Sequence, residues 1–97
     1  MPVGNWGLFV GTLQGIQKHI GEAQFKLKSL NNLVEVTIKD TPPLLFYREG
    51  INTNTIELIE SLSKIFGSTF EQFADLDTTG IIHAAIAGMV ATLEPNS

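Results

Sequence analysis

The chain holds no cysteine, which excludes disulfides, thiolate metal sites and cysteine nucleophiles. It is also poor in charge: Asp, Glu, Lys and Arg make up 16% of 97 residues, against about 25% in an average soluble domain. Cations are the scarcer sign, six against ten acidic residues, for a net charge of -4. With no basic stripe to release counterions, nucleic-acid backbones and anionic membranes are disfavoured as partners. No apolar run approaches the length of a membrane span. The opening MPVGNWGLF has neither the basic n-region nor the small-residue cleavage site of a secretory signal. These absences lead to the expectation of a soluble, cytoplasmic chain, or one incorporated in a virion or other particle.

What is present is hydrophobicity, at 43% of residues with a positive mean hydropathy. A chain of this length makes a single domain, 1–97, with one modest core. So small a domain has a large surface for its volume, and this one has few charges to cover it. Some apolar surface is therefore expected to meet another protein subunit.

The most legible stretch is QFKLKSLNNLVEVTIK, residues 24–39, which reads as a β-hairpin. A two-residue turn at Asn31-Asn32 with positive φ sets Leu30 opposite Leu33, Lys28 opposite Glu35 and Phe25 opposite Ile38. That register places Phe25, Leu27, Ser29, Val34, Val36 and Ile38 on one face. Lys26, Lys28, Glu35, Thr37 and Lys39 fall on the other. The apolar face fixes the pairing, because a cross-strand Lys-Glu pair contributes only about 0.2–1 kcal/mol. A hairpin alone is marginal in water, so other segments must cover that face.

Before the hairpin, Trp6, Phe9, Val10, Leu13, Ile16 and Ile20 recur at helical spacing, but Gly7, Gly11 and Gly15 sit among them. On a helical wheel those glycines fall away from the apolar stripe and cost about 1 kcal/mol each. The expectation is therefore a bent strand from about residue 8 to 17. After the hairpin, Pro42-Pro43 ends pairing and Leu44–Tyr47 has the length of an edge strand. A helix follows with Asn54 as N-cap, Glu57 three residues on, a stripe of Leu58, Ile59, Leu62, Ile65 and Phe66, and Gly67 at its end. Ser68 with Glu71 repeats the capping pattern for a short turn of helix carrying Phe70 and Phe73. Residues 80–93, GIIHAAIAGMVATL, read as a last helix that is apolar nearly all round, stopped by Pro95 ahead of a polar tail.

Residues Asp75 to Ile82, DLDTTGII, resemble the first eight positions of an EF-hand calcium loop. Asp75, Asp77 and Thr79 stand at its oxygen-ligand positions, Gly80 at its glycine and Ile82 at its aliphatic position. The resemblance stops there: His83 takes position nine, and Ile86 replaces the bidentate glutamate at position twelve. Such a loop would be a degenerate calcium site; the simpler reading is that Asp77 or Thr79 caps the last helix. Neither His83 nor His19 has a nucleophile or ligand set around it. No cofactor is indicated.

The expected fold class is α+β: a small antiparallel β-meander with two to three C-terminal helices packed on one face. If residues 81–93 were two strands split at Gly88, the order would become that of an OB-like small β-barrel. The expected function is a non-enzymatic interaction module. It would self-associate as a homo-oligomer, or dock as a structural subunit of a larger viral or bacterial assembly. Ile81, Ile82, Ile86, Met89, Val90 and Leu93 would be its interface. The rivals are an OB-like binder of single strands or a small ligand through Lys18, Lys26, Lys28 and Lys39, with Tyr47 or Trp6 stacking, and the degenerate calcium module.

Overall fold

The structure, a computed structural model, describes residues 4–93. Elements follow in the order α1 (Asn5–Ile20), β1 (Phe25–Ser29), β2 (Leu33–Ile38), β3 (Leu44–Tyr47), α2 (Arg48–Thr53), α3 (Thr55–Gln72) and α4 (Thr78–Leu93). The class is α+β, an open three-stranded antiparallel sheet in the order β1-β2-β3 with helices against its inner face. The barrel alternative fails because both segments it needed as strands are helices, α1 and α4. The expected stop at Pro95 and the tail 94–97 lie outside the described residues.

The hairpin has the register its pattern dictates: Phe25 opposite Ile38, Leu27 opposite Val36 and Lys28 opposite Glu35. Phe25, Val34, Val36 and Ile38 are buried and Leu27 is half-buried, while Lys26 and Lys28 are exposed. The turn itself differs from expectation. Lys39 is the one non-glycine with positive φ among the described residues, so neither Asn31 nor Asn32 is left-handed. Register is therefore held by burial of one face, not by a primed turn. The edge strand is where Pro42-Pro43 placed it, pairing Val34 with Phe46 and Val36 with Leu44.

Residues 8–17 are not a strand but the middle of α1, and the glycines are the reason the expectation failed. Gly11 and Gly15, four residues apart, share a helix face, and that face lies against α4, where Gly88 sits between Ala84 and Thr92. A Cβ on Gly11 would come within 2.7 Å of the Gly88 carbonyl, and one on Gly88 within 2.9 Å of the Gly15 nitrogen. A Cβ on Gly15 would strike the Ala84 carbonyl. The two backbones touch, and the packing gained offsets the roughly 1 kcal/mol that each helical glycine costs. The adjoining face buries Phe9, Leu13 and Ile16 under the sheet, with the Phe9 ring 5.0 Å from Phe46. Thr12, also buried, turns its hydroxyl back to donate to the Leu8 carbonyl at 2.8 Å, which suits a helix interior. Gly21, at φ 109, ends α1 and its N–H donates to the Gln17 carbonyl at 2.7 Å.

α2 is a short helix of six residues that the sequence pattern does not signal; it is anchored by Ile51, which is 1% exposed. α3 begins where the sequence indicates, with the Asn54 side chain accepting from the Ile56 N–H at 2.9 Å. Asn54→Ala is expected to cost about 1 kcal/mol, seen as a melting temperature lower by about 4–8 °C. The helix does not stop at Gly67 but runs on to Gln72, so Ser68 is not a cap. Continuing it keeps Leu58, Ile65 and Thr69 on the buried side and delivers Phe73 to the core. That burial outweighs one exposed helical glycine. Ile59, expected in the buried stripe, is 56% exposed.

Candidate docking face

α4 takes its orientation from its contacts with α1. Gly88, Ala84 and Thr92 meet Gly11 and Gly15, and Ile81 and Ala85, four apart, point into the core at 0% and 1% exposure. With those sides covered, the remaining apolar residues turn outward: Ile82 at 38%, Ile86 at 50%, Val90 at 41% and Leu93 at 56%. Spacings of four, four and three put them in one ridge along the helix. No Asp, Glu, Lys or Arg lies anywhere in Thr78–Leu93.

Beside the ridge is a groove of about 560 Å³, walled on the α4 side by Ile82, Ile86 and Met89 and on the α3 side by Phe66, Gly67 and Phe70. Ala85 forms part of its lining. The Phe66 and Phe70 rings lie 5.6 Å apart and stack. α3 and α4 meet little directly, so the groove is a slot between helices that never close on one another.

The six predicted interface residues therefore divide. Ile82, Ile86 and Met89 line the groove, Val90 and Leu93 extend the ridge, and Ile81 belongs to the core. The α3 wall was missed, because breaking the helix at Gly67 separated Phe66 from Phe70. Their spacing of four was the available signal.

The predicted cation set does not converge. Lys39 donates to the Gln72 carbonyl at 2.5 Å and lies 4.6 Å above the Phe73 ring, so it serves the C-terminus of α3 through a charge-dipole and a cation-π contact. Lys18 is exposed on α1, next to a groove of small residues shared with α4. Lys26 and Lys28 stand on the outer sheet face with Tyr47, but the register sets Glu35 and Leu45 between Lys28 and the β3 edge. Trp6 packs its ring 5.9 Å from Phe9 and is half-buried rather than presented as a platform.

At the loop resembling an EF-hand, Asp77 caps α4: its Oδ1 accepts from the Thr79 N–H at 3.1 Å. Asp75, Thr79 and His83 are exposed. Among the described residues no three His, Cys, Asp or Glu side chains come together as a metal site. Millimolar calcium is expected to leave the melting temperature unchanged, since a ligand stabilises only as far as it binds the folded state. No helix among the described residues is long and apolar enough to cross a membrane. Comparison with family models, curated proteins and solved structures returns no significant match.

Proposed function

We propose that the protein is a non-enzymatic assembly module that self-associates through the α3/α4 face, as a subunit of a larger protein assembly. The observation that carries this reading is the adjacency of ridge and groove on one patch. Two copies related by a two-fold axis can each lay the Ile82-Ile86-Val90 ridge into the groove of the other, which is the self-complementarity an isologous contact requires. The absence of charged side chains on α4 removes the self-repulsion that a charged patch would bring to that axis.

Area supports using both helices. A 16-residue helix is about 24 Å long, and two side by side are about 20 Å wide. That face is roughly 500 Å² in flat projection, and its relief raises the accessible area toward the ~800 Å² per partner of a standard interface. α4 alone would supply about half.

A single-strand or small-ligand binder draws less support, since its four lysines lie on different parts of the molecule and its barrel is not formed. The lack of native cysteine makes the proposal easy to test. With cysteine placed at Ile86, oxidation is expected to give a covalent dimer, whereas cysteine at Lys28, on the sheet, stays monomeric. The opposite pattern would move the contact to the sheet and sink the α3/α4 reading.

A further inference from the structure

We infer that the free edge of β1 is a second docking site, which accepts an extended peptide of alternating acidic and apolar residues as an added strand. It is independent of the α3/α4 face, and three observations converge on it.

The first is the state of the backbone. In an antiparallel ladder alternate residues turn their main-chain groups to opposite sides. The Leu30 N–H bonds the Leu33 carbonyl and the Lys39 N–H bonds the Gln24 carbonyl, both at 2.9 Å. This puts Gln24, Lys26, Lys28 and Leu30 on the β2 side, so Phe25, Leu27 and Ser29 face outward. Phe25 is satisfied there, since its N–H donates to the Gly21 carbonyl at 3.0 Å and its carbonyl accepts from Gln17 Nε2 at 3.1 Å. Leu27 and Ser29 take no partner on that side among the described residues. The opposite edge, β3, is flanked by Ile51 and by Glu57 and Ser61 of α3.

The second is a cleft of about 580 Å³ under this edge, between α1 and the inner sheet face, lined by Val10, Leu13, Leu27 and Val34 with Gln14 and Ser29. It is open because Ser29 is the one small polar residue on an inner face otherwise built from Phe, Leu, Val and Ile. A strand added to β1 turns every second side chain to this side, and one of them enters the cleft.

The third is charge. The other side chains of an added strand run beside Lys26 and Lys28, both exposed. Pairing β1 of one copy with β1 of another would set these lysines against their own equals, a device that keeps edges apart. A strand with carboxylates at those positions meets two cations instead. Glu22 and Lys26 both line the rim of the same cleft, so the acidic positions are those abreast of Lys26 and Lys28 and not the one beside Glu22. The occupant is therefore an acidic-apolar segment of another protein.

The test uses the full chain and a fluorescein-labelled peptide alternating valine and glutamate. One control replaces glutamate by lysine, and another carries proline at alternate positions, which cannot donate to a ladder. Polarisation is expected to show the valine-glutamate peptide binding at least about tenfold tighter than either control, a difference of about 1.4 kcal/mol. Hydrogen exchange at the Leu27 and Ser29 amides should slow when it binds. Ser29→Phe, which fills the cleft, should weaken binding by about tenfold or more. Lys26→Glu with Lys28→Glu should reverse the preference toward the valine-lysine peptide, which keeps the test informative if Ser29→Phe disturbs folding. Equal binding of the charged peptides, or protection confined to α3 and α4, overturns the proposal.

Discussion

Gly88→Ala is expected to lower the melting temperature by about 10 °C, although alanine is the better helix former by about 1 kcal/mol. The added methyl group would sit against the Gly11 carbonyl and 2.9 Å from the Gly15 nitrogen. Backbone atoms of a helix cannot rotate away as a side chain can, so α1 and α4 must separate along their whole crossing. Overpacking of this kind costs up to about 3 kcal/mol. Less the propensity gain, about 2 kcal/mol is lost, and each kcal/mol moves the melting temperature of a domain this size by about 4–8 °C. Gly67→Ala is the matched control, because a Cβ there meets nothing within 4 Å. It should gain about 0.5–1 kcal/mol. Gly67 lines the groove between α3 and α4 proposed as the docking site, so both changes are best compared in a monomeric background. If thermal denaturation showed the two alanines acting alike, the close crossing of α1 and α4 would be wrong.

A monomeric background is the second large effect expected. Ile86 is 50% exposed at the centre of the ridge, so Ile86→Glu should change the stability of the isolated subunit by no more than about 0.5 kcal/mol. In the assembled state the same carboxylate would be buried against apolar groups without a partner. Leaving a buried charge unpaired costs about 3–5 kcal/mol, which raises the dissociation constant by about two to nearly four orders of magnitude. Light scattering of Ile86→Glu at tens of micromolar is expected to give the mass of one chain, with circular dichroism unchanged. Glutamate at Ile59, which is equally exposed on α3 but outside the groove lining, should leave the mass unaltered.

How much of this was legible in the sequence depended on whether the deciding partner was near or far along the chain. The register of β1 and β2 follows from period-two alternation within 16 residues. The end of the hairpin follows from Pro42-Pro43, and the start of α3 from Asn54. Each is settled by neighbours a few positions away. α1 was misread because its glycines were weighed only against their own helix, where they are a cost. Their use appears only across the fold, where the four-residue spacing of Gly11 and Gly15 matches that of Ala84 and Gly88. That matched pair of small-residue rows turns the glycines of α1 from an argument against a helix into one for it. Gly67 invited the opposite error. It looked like a helix end, yet burial of Thr69 and Phe73 carries the helix past it. The proposed docking face was half visible for the same reason. The shortage of charge pointed to α4, but its second wall depended on α3 being continuous through Phe66 and Phe70.

The α4 pattern, apolar nearly all round, required covering on several sides. Within one copy it is covered by α1 and the core alone, leaving the ridge from Ile82 to Leu93 in the open. Sedimentation velocity over a series from micromolar to submillimolar concentration shows whether a second copy covers that ridge. A species of twice 10.6 kDa is expected to persist down to micromolar concentration and to be lost in Ile86→Glu. A single species of 10.6 kDa throughout the series, with native chain and variant indistinguishable, would contradict it.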